Sequence, residues 1–383
     1  MKITFLSPPL NMTGGTKVIA IYADYLLKNG HEVLVVSTPR SQHKLFHQLK
    51  NLIKGKPFQL IKRPVKHSSH FDGSLVKQHV INEKRPIMDA DLPDADVVIA
   101  TWWETAEWAN QLSPTKGAKV YFIQHYEVFE YLPIVRCKAT YKMPLHKIVI
   151  AQWLLKIMQQ EYGDTQVDLV SNSVDKNQFF APIRVKQNIP TIGFLFANAT
   201  FKGVDITLQA IAMIKKTLPN VRVISFGVHV PKNVPFWDNS IEFYCAPDQD
   251  KIRDIYAQCD VWMTASRSEG FNLPAMEAMA CKTPIVSTMA GWPMEAILSH
   301  QNGVLTEIDD IQALADGAKW VLNLSKDDWM ALSLSAFNTV ADSSWEKSGL
   351  LFEQALKNAI SIHHDNDLKS KQYSNNSQYV NNS

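Results

Sequence analysis

The sequence predicts an α/β protein with two Rossmann-like domains, each built on a parallel sheet, facing each other across a cleft. Short apolar segments alternate with helical patterns in two consecutive series along the chain. Strands that alternate with helices are typical of parallel sheets covered on both faces. The length of 383 residues is too great for one ordinary core and suits two.

The first series begins with a strand over 3–6, a helix over 18–27 and a strand over 32–37. The two strands are apolar and the helix between them ends at Gly30, so the three elements predict one βαβ unit. Further elements of this series are predicted as strands over 97–101, 119–124 and 168–171 and a helix over 148–160.

The second series has the same alternation. Its strands are predicted over 191–196, 221–227, 241–244, 261–265 and 284–287, and its helices over 204–217, 249–257 and 274–280. Two helices over 309–323 and 326–339 follow, and a last amphipathic helix is expected to run from Ser344 to about Ile362.

The domain borders follow from these patterns. A polar stretch with Pro182 interrupts the alternation near 168–185. We expect an N-terminal domain over 1–170, a C-terminal domain over 171–344, and a C-terminal helix over 345–362 that returns to the first domain. Asn, Ser, Gln and Tyr dominate 363–383, which predicts a disordered polar tail.

Composition excludes several classes of function. The net charge of +2 and the lack of nucleic-acid-binding motifs argue against a nucleic-acid partner. The four cysteines form no CxxC and have no histidine at zinc-ligand spacing, so we expect four buried thiols, a reducing compartment and no metal site. No run of 18 apolar residues occurs, which favours a cytoplasmic location.

Two glutamates, Glu269 and Glu277, flank the start of a predicted helix at Pro274. The predicted strand over 261–265 lies upstream, so both side chains are placed near the carboxyl ends of the strands, where α/β sheets bind ligands. Amide groups at a helix start attract a diphosphate, and carboxylates accept hydrogen bonds from hydroxyls. The alternative is a helix N-terminal charge and a solvated loop residue.

The surrounding segment reads Ser-Arg-Ser-Glu-Gly-Phe-Asn-Leu-Pro-Ala-Met-Glu-Ala-Met-Ala-Cys-Lys-Thr-Pro-Ile-Val over 266–286. It resembles the signature of retaining glycosyltransferases with the GT-B fold, family four (group 1 glycosyl transferases). The resemblance implies that Glu269 contacts the donor sugar and Glu277 the nucleotide ribose. It also places the donor against Gly270, Phe271, Asn272 and Leu273.

The resemblance extends to three other places. Gly14 and Gly15 follow the first strand, where the family borders the donor phosphates and the acceptor. Lys202 precedes Gly203, where the family sets a lysine on the diphosphate. Ala246 lies where the family binds the nucleotide base. A plain glycine turn, a solvated lysine and an ordinary loop are the alternatives.

The sequence departs from the family after the strand over 191–196. Many members have Gly-Arg there, with the arginine on the diphosphate, whereas 193–198 contains no arginine. Arg267 is a candidate to replace it, and a surface loop residue is the alternative. His125, in Gln-His-Tyr-Glu after a strand, is a candidate to bind a donor hydroxyl and align the acceptor, or is structural.

The segment 43–67 contains seven lysines and arginines among apolar residues and has no acidic residue. It predicts either peripheral contact with an anionic membrane, at its inner face, or a solvated basic helix with a core-facing stripe.

Together, the resemblance implies a retaining, metal-independent hexosyltransferase that moves a sugar from a nucleotide diphosphate-sugar to a hydroxyl of a glycan or lipid-linked acceptor. Cell-surface polysaccharide synthesis is the expected role. The nucleotide sugar is a co-substrate, and no other cofactor is expected. The alternatives are a nucleotide-sugar epimerase of similar fold and a non-catalytic nucleotide-sugar-binding protein, which the missing arginine favours.

Overall fold

The computed structural model describes residues 1–40 and 68–380, with side chains up to residue 368. The basic segment 43–67 lies outside the described residues. The chain divides into two compact units. The first comprises Met1–Val149, Met158–Asp168 and Gly349–Ser383, and the second comprises Ile150–Ile157 and Leu169–Ser348.

The first unit contains a seven-stranded sheet. Its strands are β1 (Lys2–Ser7), β2 (Glu32–Ser37), β3 (Lys77–Val80), β4 (Val97–Ala100), β5 (Ala118–Ile123), β6 (His146–Val149) and β7 (Val167–Leu169). They lie in the order β3-β2-β1-β4-β5-β6-β7. Each neighbouring pair from β3 to β6 is parallel. Its helices are α1 (Gly14–Lys28), α2 (Trp103–Gln111) and α3 (Ile134–Thr140), and α4 (Gln152–Tyr162) belongs to both units.

The second unit contains a six-stranded parallel sheet. Its strands are β8 (Thr191–Leu195), β9 (Arg222–Gly227), β10 (Glu242–Cys245), β11 (Val261–Thr264), β12 (Ile285–Thr288) and β13 (Val304–Thr306), in the order β10-β9-β8-β11-β12-β13. The helices are α5 (Val204–Thr217), α6 (Ile252–Ala257), α7 (Leu273–Ala280), α8 (Pro293–Ala296), α9 (Ile311–Asn323) and α10 (Lys326–Val340). The last helix is α11 (Trp345–Val380).

Each unit has its own apolar core. In the first, Phe352 of α11 stacks on Tyr22 of α1 with ring centroids 4.3 Å apart and meets Phe122 of β5 at 5.0 Å. In the second, the buried Trp329 of α10 packs in a cluster with Phe194 of β8 and Leu314 of α9, and its indole N–H donates to the carbonyl of Asp260 at 2.9 Å. These contacts show how the C-terminal helices cover the two sheets.

The predicted α/β fold with two Rossmann-like parallel-sheet domains is confirmed. No helix in the ranges described here is long and apolar enough to span a bilayer.

One helix boundary was predicted wrongly. The helix predicted over 148–160 begins only at Gln152, because Ile148 and Val149 pair with Phe122 and Ile123 of β5 as the end of β6. At the C-terminal end, α11 continues past Ile362 to Val380, and neither glycine nor proline occurs after Gly349.

Candidate functional site

The order in which the chain adds strands to the second sheet changes direction between β8 and β11. From β8 the connection leads towards β9, and from β11 it leads towards β12, so a crevice opens at the carboxyl ends of these two neighbouring strands. Lys202 follows β8 and Glu269 follows β11. The two residues that the sequence predicts to act on the donor therefore meet at the topological switch point of this sheet.

The Lys202 ammonium contacts both oxygens of the Glu269 carboxylate. Nζ lies 2.7 Å from Oε1 and 2.9 Å from Oε2, and the hydroxyl of Ser266 donates to Oε1 at 2.7 Å. The Glu269 side chain is only 8% exposed, against 24% for Lys202. Glu269 is thus not a solvated loop residue, and the lysine is held with one side towards solvent.

Gly203 fixes the position of Lys202. Its φ of +60° is in the left-handed region, and a Cβ built there would lie 1.8 Å from the carbonyl oxygen of Ala265. The amide of Arg267 also donates to the carbonyl of Phe201 at 2.7 Å. Close backbone packing against the end of β11 therefore requires glycine next to the lysine.

The loop after Glu269 is also tightly held. Asn272 has φ +78° and its side-chain amide donates to the Thr264 hydroxyl at 3.1 Å. Phe271 stacks on Trp292 at 5.6 Å, and the carbonyl of Gly270 accepts the indole N–H of Trp153 at 3.0 Å. Leu273 then begins α7. Lys202, Ser266, Glu269 and Asn272 line one small pocket.

Glu277 lies elsewhere on α7. It is the fifth residue of the helix and not the fourth as predicted, because the helix begins at Leu273 and not at Pro274. Its Oε2 accepts the hydroxyl of the buried Tyr256 at 3.0 Å. Glu277 does not line the pocket of Lys202 and Glu269, so its predicted contact with the ribose stays a prediction.

Arg267 is held by two acidic side chains. Its guanidinium contacts Asp205 at 2.8 and 3.0 Å and Asp309 at 2.6 Å, and it donates to the carbonyl of Thr200. The hydrogen bond from Arg267 lowers the pKa of Asp205. The guanidinium is engaged in these pairs, and its predicted place on the diphosphate stays a prediction.

Ala246 follows β10 at the same sheet edge. Its φ of +45° is unusual for a residue with a side chain, and its amide donates to the carbonyl of Gly227 at 2.7 Å. The neighbouring Cys245 is exposed, so the expectation of four buried thiols is wrong at this position. No group of three or more metal-ligating side chains occurs among the residues that the structure describes.

In the first unit, the connections diverge between β1 and β4. Gly14 and Gly15 begin α1 directly after β1, and neither has a positive φ, so no left-handed turn requires glycine here. A Cβ built on Gly15 would lie 3.8 Å from the side chain of Gln124. Gly15 therefore lies beside the residue that precedes His125.

His125 is half-buried after β5. Its Nδ1 lies 3.0 Å from the carbonyl oxygen of Tyr126, and its ring packs on Phe129 with centroids 4.7 Å apart. Because a carbonyl oxygen only accepts, Nδ1 carries a proton in that hydrogen bond.

Sequence reasoning missed three residues that hold this chemistry in place: Ser266, Tyr256 and Glu127. Glu127 is 2% exposed, and burial raises its pKa to about 8. Its Oε2 accepts the amide of Trp103 at 2.8 Å and the hydroxyl of Tyr121 at 3.2 Å. In the sequence, Glu127 is only an acidic residue among aromatic residues just after a strand, and that pattern does not predict that its side chain is buried.

Residues 175–331 match the family model for glycosyl transferases group 1. A curated relative, the D-inositol 3-phosphate glycosyltransferase of Corynebacterium urealyticum, is 29% identical over 171 residues, which is 41% of this chain and 40% of the relative. The chain spans less than half the length of this and similar curated relatives.

Solved structures match over nearly the whole chain. Sucrose-phosphate synthase from Thermosynechococcus elongatus superposes with a TM-score of 0.72 at 14% identity, covering 94% of this chain and 100% of that one. HepE of Anabaena, solved in complex with UDP-glucose, gives 0.70 at 17% identity, with 94% and 100% covered. At these identities the likeness shows the fold. Together, the family match, the curated relative and the shared fold support a glycosyltransferase of the GT-B fold.

Proposed function

We propose that this protein transfers a sugar from a nucleotide diphosphate-sugar to a hydroxyl group, with retention of the anomeric configuration and without a catalytic metal. The observation that carries the proposal is the Lys202–Glu269 pair at the switch point of the second sheet. A cation for the diphosphate and a carboxylate for the sugar hydroxyls are the two groups that such a donor needs.

The pair has an energetic consequence. A partly buried ion pair loses much of its Coulomb energy to desolvation, so its partners exchange readily for better ones. A diphosphate offers Lys202 several anionic oxygens. Sugar hydroxyls offer Glu269 hydrogen-bond donors in place of the lysine ammonium. Donor binding would thus replace the internal ion pair by two contacts to the donor.

In the reaction, the bond between the anomeric carbon and the diphosphate oxygen breaks and its electron pair leaves with the diphosphate. The acceptor oxygen bonds to the anomeric carbon, and its proton passes to an oxygen of the departing diphosphate. Lys202 would stabilise the charge that develops on the leaving group. His125 would contact a donor hydroxyl and align the acceptor, with Gly14 and Gly15 bordering the phosphates.

The acceptor is proposed to be a glycan or a lipid-linked glycan in cell-surface polysaccharide synthesis. Peripheral contact through the basic segment 43–67 would bring the enzyme to such an acceptor at the inner face of a membrane. Pelleting with anionic vesicles at low salt tests this part, and the absence of binding would remove it.

A donor panel tests the reaction. The purified protein is incubated with UDP-, GDP-, dTDP- and ADP-sugars, with and without candidate acceptors, and released nucleotide is measured. We expect turnover of one donor class, enhanced by an acceptor, unchanged by EDTA, with a product of the donor's anomeric configuration in the NMR spectrum. An isomerised donor without acceptor would indicate an epimerase instead, and tight binding without turnover a non-catalytic protein.

A further inference from the structure

We infer that Glu127 is a positioning residue for His125, because its buried carboxyl joins the His125 loop to the helix at the switch point of the first sheet. The inference rests on the proposed function, because it assigns His125 a role in sugar transfer. It gives a role to Glu127, a residue for which the sequence predicted none.

The contacts of Glu127 link three elements of the first unit. Its Oε2 accepts the amide of Trp103, the first residue of α2 after β4, and the hydroxyl of Tyr121 on β5. Its own amide donates to the hydroxyl oxygen of Tyr141 at 2.8 Å. Tyr141 in turn donates to the carbonyl of His125 at 3.4 Å. The carboxyl of Glu127 therefore joins the loop after β5 to the start of α2 and to Tyr121, and its backbone amide reaches the carbonyl of His125 through Tyr141.

These contacts lie between the ends of β4 and β5, next to His125. His125 follows β5, and α2 follows β4, the strand between β1 and β5. Tyr141, stacked on Tyr121 at 5.8 Å, closes the far side of the loop. Without the carboxyl, the amide of Trp103 and the hydroxyl of Tyr121 lose their buried acceptor, and unsatisfied buried donors destabilise the loop.

The surroundings favour the neutral acid. The titratable groups that face Glu127 are the phenols of Tyr121, Tyr131 and Tyr141 and the thiol of Cys137, and burial raises the pKa of each of them. All four are uncharged at pH 7. The amide at the start of α2 favours a carboxylate, but desolvation outweighs it and raises the pKa of Glu127 to about 8.

The first test is kinetic and uses two substitutions. Glu127→Gln keeps the shape and the neutral acceptor, so kcat stays within about threefold of wild type, whereas Glu127→Leu lowers kcat about tenfold or more because His125 shifts. The donor KM changes little in both. Wild-type kcat falls above pH 8 as Glu127 ionises, and Glu127→Gln lacks this fall. Glu83→Gln, on an exposed loop of the same unit, serves as the control.

The second test needs no turnover, so it separates this inference from the proposed function. The ring signal of His125, labelled at Cε1 and assigned by its loss in His125→Asn, is followed by NMR from pH 6 to 9.5. We expect an inflection near pH 8 in wild type and Glu83→Gln that is absent in Glu127→Gln. An inflection that persists in Glu127→Gln, none in wild type, or full kcat in Glu127→Leu would overturn the inference.

Discussion

The two sheets carry different chemistry at equivalent points of their topology. Where the second sheet switches direction, Lys202 and Glu269 form a partly exposed ion pair. Next to the switch point of the first sheet, Glu127 follows β5 and is buried and hydrogen-bonded among tyrosines. A charged crevice suits an anionic ligand, whereas a buried neutral network holds a neighbouring side chain in place. On the proposed function, donor binding and the positioning of His125 would therefore be carried by different sheets.

The pH dependence of stability should separate the two regions most strongly. The carboxyl of Glu127 has a folded pKa of about 8 against an ordinary 4.5. Between these values the unfolded chain has released a proton that the folded chain keeps, so stability falls as the pH rises, by roughly 3 to 5 kcal/mol. Asp205 behaves oppositely, since Arg267 lowers its pKa and its contribution is lost as the pH falls below the ordinary 3.8.

Unfolding by urea at pH 5, 6, 7 and 8 measures the first effect. The slope against pH should flatten in Glu127→Gln. An unchanged slope in that variant would show that Glu127 ionises as an ordinary carboxyl.

The two glycines that open the helices after the first strand of each sheet offer a matched pair. Gly203→Ala should destabilise the second unit by about 3 kcal/mol or more, because it combines a left-handed φ with a Cβ placed 1.8 Å from the Ala265 oxygen. Gly14→Ala should change stability by less than about 0.5 kcal/mol, since nothing lies within 4 Å. Calorimetric melting of both variants checks this, and equal shifts would contradict it.

Removing each of the two buried tyrosine–glutamate hydrogen bonds tests which carboxylate contributes to donor binding. Tyr256→Phe should raise the donor KM about three- to tenfold, because Glu277 loses a hydrogen bond worth about 1 kcal/mol. Tyr121→Phe removes the corresponding bond to Glu127 and should leave the donor KM within about twofold. Initial rates across donor concentrations decide. A larger KM effect from Tyr121→Phe would reverse the assignment.

Arg267→Ala should have the smallest effect. Its guanidinium is 30% exposed and paired with Asp205 and Asp309, so the change should lower stability by less than about 1 kcal/mol and turnover by about threefold. Steady-state turnover and a urea curve measure both. A turnover loss as large as that of Lys202→Ala would show that Arg267 takes the place of the missing arginine.

Local patterns predicted what local sequence controls. Helix α5 (Val204–Thr217) and strand β2 (Glu32–Ser37) agree with the prediction to the residue, because their apolar spacing and flanking glycines decide them. Lys202 and Glu269 were predicted because each follows a recognisable strand and lies in a segment that resembles the family signature. The sequence did not predict residues whose role depends on distant partners. Glu127 bonds to Trp103, 24 positions away, and Tyr256 bonds to Glu277, 21 positions away.

The most direct test of the central claim compares Lys202→Ala and Glu269→Ala with Lys319→Ala. Lys319 is a matched control in the same unit, 26% exposed and paired with Asp316 at 2.6 Å. We predict that the first two variants keep the wild-type melting temperature within a few degrees and lose about 10- to 100-fold in nucleotide release, the worth of one charge-assisted hydrogen bond. Lys319→Ala should retain wild-type turnover. Wild-type rates in both site variants would contradict the account.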